Sequence, residues 1–236
     1  MIWLAMDTST TTLTVAVLRD GELLAEHSDR AERNHSIRLV PAIEEILREA
    51  GVTKQQLNGI AVGHGPGSYT GVRIAATVAK TFAWSLGIPL VGVSSLAALA
   101  LTAALEDGVD AADLYIPVMD ARRGQAYTGL YGRTELPDGQ PSMIALEQDA
   151  NRLAEPWFAA MQTVKTWKVV GETDAFTSAL QTTNAESKYV ELRAYAIGLL
   201  GLERFAKGEQ EEVHHFVPNY TQLAEAEVNW LAKQQG

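Results

Sequence analysis

The sequence predicts an α/β fold built from two units. Three observations carry this. Short apolar runs alternate with longer amphipathic ones through the first half, in the order β-β-β-α-β-α-β-α. Asp20-Gly21 separates two runs of strand character, a strong hairpin signal. The apolar run 114–119, ending in Asp120, repeats the opening run 2–6, which ends in Asp7. At roughly 100–150 residues per domain, a chain of 236 residues suits two units. They are placed at 1–105 and 106–236. The second is the less complete, and its last helices are free to pack back on the first.

The elements follow in order. Residues 2–6 stop at the polar cluster Asp7-Thr8-Ser9-Thr10, 12–18 are rich in β-branched side chains, and 22–28 return from the hairpin. A helix over 36–50 places Ile37, Val40, Ile43 and Leu47 at helical spacing and ends at Gly51. Pro41 conflicts with this window unless the first turn begins near Leu39, because proline lacks a donor and clashes with the preceding turn. Residues 60–62 form a short buried strand before a glycine-rich turn. A helix over 72–86 comes next, with Val72, Ala75, Ala76, Ala79, Phe82, Ala83 and Leu86 on its apolar side, Gly87 to close it and Pro89 to stop it. Residues 90–93 give another strand, and Ser94 or Ser95 caps a third helix that runs to Leu105. The acidic stretch 106–113 reads as a linker. Beyond it, 114–119, 126–131, 143–146 and 167–170 read as strands, Pro137-Asp138-Gly139 as a turn, and 192–207 as a helix ending at Gly208. Residues 216–220 read as extended and 223–233 as helical.

Composition narrows the chemistry. With 47% hydrophobic residues the chain can bury a full core without a disulfide or metal staple. Cysteine is absent, which excludes thiolate nucleophiles and Cys-ligated metal sites. The opening run has no basic region and is interrupted by Asp7, so it does not read as a secretory signal. No stretch reaches the ~18–20 uninterrupted apolar residues of a membrane span. A cytoplasmic location without membrane association is the expectation. The net charge of −10 disfavours direct contact with phosphate backbones, so any RNA would be held by another subunit.

Four clusters could carry chemistry. Asp7-Thr8-Ser9 follows the first strand, where a tight turn can cradle a phosphate and a carboxylate can hold Mg²⁺ through water. It can equally be a hairpin turn that satisfies its own backbone. The stretch from Gly63 to Gly71 leads from a strand into a helix, the setting in which N-terminal amides bind anions, yet it is neither a Walker A loop nor a G-x-G-x-x-G fingerprint. Its glycines also suit close packing of helix on sheet. Five histidines (His27, His35, His64, His214 and His215) include no pair at metal-binding i, i+4 spacing. The block Asp120-Ala121-Arg122-Arg123-Gly124-Gln125 offers two arginines at a strand end, either an anion clamp or a solvated turn. No Gly-x-Ser-x-Gly elbow is present.

Taken together, Asp7-Thr8-Ser9, Gly65-Pro66-Gly67-Ser68-Tyr69-Thr70-Gly71-Val72-Arg73-Ile74, Met119-Asp120-Ala121-Arg122 and Pro218-Asn219-Tyr220 resemble the TsaB (YeaZ) family in order and spacing. The resemblance covers most of the chain, is strongest over 1–130, and has its most specific motif at 65–74. It implies the actin/Hsp70/sugar-kinase-like fold, with two subdomains of the β-β-β-α-β-α-β-α type, the second degenerate. It implies a non-catalytic partner of TsaD, a paralogue that transfers threonylcarbamoyl to adenosine 37 of tRNAs reading codons that begin with A (t6A). The ATPase TsaE is the implied third member of a ternary complex. A homodimer is a further implied state of the isolated chain, and tRNA is met only indirectly.

TsaD carries a His-x-Glu-Gly-His-like metal motif where this sequence has Ser95 to Leu99. Ser95 and Leu99 stand at the ligand positions and Ala97 at the acid; leucine cannot bind a metal and a lone serine binds one poorly. The resemblance therefore implies no catalytic or metal residue and no cofactor here, with ATP and a metal ion in the partner subunits. Asp7, Thr8, Ser9, Gly65, Pro66, Gly67 and Ser68 become a vestigial nucleotide loop. The two N-terminal helices are implied to pair with those of TsaD in a four-helix arrangement. Leu39, Ile43, Ile46, Tyr69, Arg73, Val78 and Phe82 are the expected contacts, divided between core and interface. The alternative is an ATP-dependent small-molecule kinase of the same fold, using Asp7 with Mg²⁺. The chain is short for a complete sugar kinase and has no evident second nucleotide loop. A glycoprotease is disfavoured, since Cys, a metal-binding His pair and a serine elbow are all missing.

Overall fold

The computed structural model describes residues 1–30, 34–161 and 167–221. The helix expected over 223–233 lies outside the described residues. The first half runs β1 (Ile2–Asp7), β2 (Thr12–Arg19), β3 (Glu22–Arg30), α1 (His35–Glu49), β4 (Gly59–Gly63), α2 (Tyr69–Leu86), β5 (Leu90–Val93) and α3 (Ser95–Asp107). The second runs β6 (Leu114–Asp120), β7 (Gln125–Glu135), β8 (Pro141–Leu153), α4 (Ala154–Met161), β9 (Trp167–Gly171), α5 (Thr177–Leu180), β10 (Glu186–Tyr189) and α6 (Ala194–Ala206).

Both sheets have one strand order. The first is β3-β2-β1-β4-β5 and the second, taken from its far edge, β8-β7-β6-β9-β10. In each, three strands form an antiparallel meander and two more add in parallel beside the first. The repeated apolar run ending in aspartate is thus the trace of a repeated topology, and Asp7 and Asp120 end the corresponding strands.

Alternation along β1 explains why the first sheet is covered twice. Successive strand side chains point to opposite faces. Trp3 and Ala5 enter one core with α3 and α6, whereas Leu4 and Met6 enter another with α1 and α2. A strand buried on both faces reads as an unbroken apolar run, as β1 does. α3 is apolar all round because it is covered all round, by the second sheet on one side and α6 on another. α6 in turn lies on β1, β2, β4 and β5. The division expected at 105/106 therefore separates the sheets but not the helices that cover them. Among the described residues no helix is long and apolar enough to cross a membrane.

Several expectations need correction. α1 begins at His35, so Pro41 lies well inside it. Pro41 and Ile37 both face solvent, where a carbonyl left without its helix donor costs little. Exposed Ile37 and Val40 do not belong to the core stripe; that stripe is His35, Leu39, Ala42, Ile43, Ile46 and Leu47. β8 is far longer than the expected 143–146, and α4 and β10 were not expected at all. The presumed linker is tied down: Asp107 accepts from Lys168 at 3.1 Å and Lys188 at 2.9 Å, and these bonds hold its carboxyl below the usual range against the opposing effect of burial.

α6 is fixed to the first sheet by Glu26 of β3, which accepts from Arg193 Nε at 2.8 Å and from the Tyr195 amide at 2.9 Å. Removing this carboxylate leaves a half-buried guanidinium and a helix-terminal amide unpaired. Glu26→Ala is expected to lower unfolding free energy by about 2 kcal/mol, read by urea denaturation, with the secondary structure retained.

Candidate functional site

The end of β1 and the glycine-rich turn after β4 are locked together by one carboxyl group. Asp7 is fully buried. Its Oδ1 accepts from the Ser9 amide at 2.6 Å and the Ser9 hydroxyl at 2.7 Å, and its Oδ2 accepts from the Ser95 hydroxyl at 2.6 Å. Ser95 Oγ in turn accepts from the Gly65 amide at 3.1 Å. Burial pushes the Asp7 carboxyl up, opposed by the hydrogen bonds from Ser95 and Ser9. The turn closes over this group on both sides. A Cβ at Gly63 would lie 1.7 Å from Asp7 Oδ2, and one at Gly71 would lie 1.9 Å from the Thr8 carbonyl oxygen. Thr8 donates its hydroxyl to the Gly71 carbonyl at 2.7 Å, and the Ser68 amide donates to the Ser9 carbonyl at 2.7 Å.

This narrows the phosphate-cradle reading. A cradle needs free backbone donors. The amides of Ser9, Gly65, Ser68 and Gly71 are already used within the turn pair, the last on the Ser68 hydroxyl that caps α2. Asp7 presents no exposed oxygen for a hydrated cation. The amides of Tyr69 and Thr70, which open α2, take no part in these bonds, so what the clamp removes is Asp7 as a metal ligand.

Between the two sheets lies an open cleft of about 860 Å³, whose lining includes Ser9, Thr10, His35, Ser68, Asp120 and Glu172. Its far wall is the turn after β6. Asp120 accepts from the Arg122 amide at 2.8 Å and pairs with the Arg122 guanidinium at 3.2 Å, while its own amide donates to Glu172 at 2.7 Å. Burial and the Asp120 charge push the Glu172 carboxyl up. Arg122 and Arg123 have φ of 68° and 54°, in the left-handed region that costs an ordinary residue about 1 kcal/mol each. Of the two arginines proposed as an anion clamp, only Arg122 lines the cleft, and its charge is already opposed by Asp120.

A second feature adjoins the cleft and shares Tyr69 with its lining. α1 and α2 pack side by side and expose apolar groups: Ile37 is 69% and Trp84 67% exposed, with Val40 and Tyr69 also exposed.

The whole chain aligns at 39% identity with the tRNA threonylcarbamoyladenosine biosynthesis protein TsaB of Bacillus subtilis, covering 100% of both. The chain belongs to the TsaB family. The TsaB protein of Escherichia coli is 37% identical over 56% of this chain and 55% of its own length. A family model described as TsaD, tRNA N6-adenosine threonylcarbamoyltransferase, matches residues 27–230. The solved structure of YeaZ from Pseudomonas aeruginosa superposes with a TM-score of 0.80 at 32% identity, covering 93% of this chain and 99% of that one. An activator of a 2-hydroxyisocaproyl-CoA dehydratase from Clostridium difficile, with bound ADPNP, shares the fold at a TM-score of 0.50 and 9% identity. The actin/sugar-kinase type of fold implied by the resemblance is the one observed.

Set in this family frame, the expected site residues divide cleanly. Asp7, Thr8, Ser9, Gly65, Gly67 and Ser68 come together as one hydrogen-bonded turn pair, with Pro66 buried beside them. Ser95 is buried in the clamp, and Leu99 is packed in the core. Leu39, Ile43 and Ile46 form the fully buried face of α1, so as direct partner contacts they are corrected: a partner cannot reach them without unpacking the core. Val78 and Phe82 are half-buried, and Tyr69 and Arg73 are exposed. Trp84 was missed. Its position one turn beyond Lys80 on the polar side of α2 was the available signal.

His64 is a second, largely buried titratable group of this region. Burial, then the nearby Arg204 charge, push it down to about 4, and its Nδ1 has no partner among the described residues. The unfolded chain then binds more protons than the native one between about pH 6.5 and 4, so this residue costs stability as pH falls through that window. From pH 7 to pH 5 the wild type is expected to lose about 2 kcal/mol more than His64→Gln, compared by urea denaturation at each pH. Independently, Asp7→Ala strands three donors and is expected to cost about 3 kcal/mol in the same assay at pH 7.

Proposed function

We propose that this chain is a non-catalytic accessory subunit of the machinery that makes threonylcarbamoyladenosine in tRNA, acting in the cytoplasm by binding and activating a catalytic TsaD-type subunit. The observation that carries the non-catalytic reading is the closed Asp7 clamp. The carboxyl that the kinase reading would turn toward a metal is here spent on Ser9 and Ser95. ATP and the metal ion then belong to the partner subunits, TsaD and the ATPase TsaE. The charge of −10 supports contact with tRNA only through those partners.

The binding surface that suits this role is the exposed face of α1 and α2. Helix pairs dock through ridges of side chains, and this face offers Ile37 and Val40 from α1 with Tyr69, Arg73 and Trp84 from α2. The same face suits a homodimer of the isolated chain.

The kinase reading has one observation in its favour, the open cleft of about 860 Å³. It predicts micromolar Mg·ATP binding by the purified chain and turnover with a small-molecule acceptor. The accessory reading predicts no binding of that strength by isothermal titration calorimetry. It further predicts that the double substitution Ile37→Asp with Val40→Asp weakens binding to purified TsaD-type subunit at least tenfold with circular dichroism unchanged. Affinity equal to wild type would exclude the helix face.

A further inference from the structure

The segment after α6 has no regular secondary structure, yet it is fixed at intervals to the first lobe. The Glu211 amide donates to the Leu90 carbonyl at 2.8 Å, which places the segment at the free edge of β5. His214 meets Trp84 edge-on at 6.5 Å. Lys80 Nζ donates to the His214 carbonyl at 3.0 Å and the Phe216 carbonyl at 2.9 Å. The Phe216 ring is buried in the core under α1 and α2. The Asn219 amide donates to the His64 carbonyl at 2.8 Å, and Tyr220 stacks on Tyr69 at 5.4 Å. Residues 211–221 thus form a strap that runs along α2 from Trp84 near its end to Tyr69 at its start.

The strap also leaves apolar groups uncovered. Val217 is 68% exposed and Tyr220 46%. With Ile37, Val40, Tyr69 and Trp84 they make six of the twelve exposed large apolar side chains among the described residues. Half of the exposed apolar material therefore sits on three adjoining elements, α1, α2 and the strap. A patch of this kind marks a docking surface more often than scattered residues do. The strap is held by main-chain hydrogen bonds and one buried ring, so the surface is formed before binding and little ordering cost opposes association.

We propose that the strap is the third element of the partner-binding face, and that Val217 and Tyr220 contact the catalytic TsaD-type subunit beside the α1–α2 helices. The inference rests on the accessory-subunit reading above and extends it to a segment far from those helices in sequence. Continuity with the helix face argues for this occupant.

The test measures affinity of purified TsaD-type subunit for wild type, Val217→Asp, Tyr220→Ala and Ile144→Asp. Ile144 is an exposed apolar residue on β8 and serves as the control. The expected result is binding at least tenfold weaker for Val217→Asp and several-fold weaker for Tyr220→Ala, with Ile144→Asp within twofold of wild type. All four should share one circular dichroism spectrum, since each substituted side chain is exposed. Val217→Asp binding within twofold of wild type, while Ile37→Asp with Val40→Asp binds weakly, overturns the strap and leaves the helix face standing. Failure of the wild-type chain to bind overturns the accessory reading itself, and the strap with it.

Discussion

The first lobe depends on a carboxyl group with no access to solvent. Asp7 ends β1, and through Ser9 and Ser95 it ties that strand to its own turn, to the start of α3 and, by way of the Gly65 amide, to the glycine-rich turn. A buried carboxyl is costly unless its oxygens are hydrogen-bonded, and here both are. The glycines around it follow from the same constraint. Gly63 leaves room for Oδ2 itself, and Gly71 lets α2 approach the Thr8 carbonyl. What looks in sequence like a phosphate loop is, in three dimensions, two turns tied together through Asp7 and Ser95 and by the Ser68 amide on the Ser9 carbonyl.

The repeated topology makes the contrast between lobes informative. Asp120 ends β6 as Asp7 ends β1, but it faces the cleft and pairs with Arg122. Closure is confined to the first lobe, whose outer face carries α1, α2 and the strap. An account in which the first lobe is stiffened to present a surface joins these observations: the clamp fixes the turn, the Ser68 cap and Thr8 fix the start of α2, and Lys80 fixes the strap to the same helix.

Much of the fold was legible in the sequence where burial is one-sided or complete. β1, β4, β5 and α3 are apolar throughout because they are covered throughout, and Ser94 capped α3 as its position suggested. Elements with polar exposed faces were less legible. β8 carries Glu147, Gln148, Asp149, Asn151 and Arg152 along one sheet edge, and β10 reads Glu-Ser-Lys-Tyr, so neither shows the alternation of a half-buried strand. On α1, apolar residues on both sides blurred the stripe. Spacing placed Ile37 and Val40 with Ile43, although Ile37 lies on the opposite face and Val40 at the edge of the stripe. The turn pair was visible as a cluster, but its role was hidden, because spacing does not say whether an aspartate faces a ligand or two serines. The strap gave only an extended stretch, since most of its hydrogen bonds are made by its own main chain, which leaves no side-chain pattern.

The central claim is that Asp7 supports structure and performs no chemistry. The most direct measurement is reconstituted threonylcarbamoyl transfer to tRNA by TsaD and TsaE, with this chain supplied as wild type, as Asp7→Asn or omitted. Asparagine keeps an oxygen for Ser9 but removes the carboxylate a metal would need. The account predicts that omission abolishes transfer and that Asp7→Asn sustains it within about threefold. Transfer lost with an Asp7→Asn chain that is folded and still bound to TsaD would contradict it, as would full transfer without the chain.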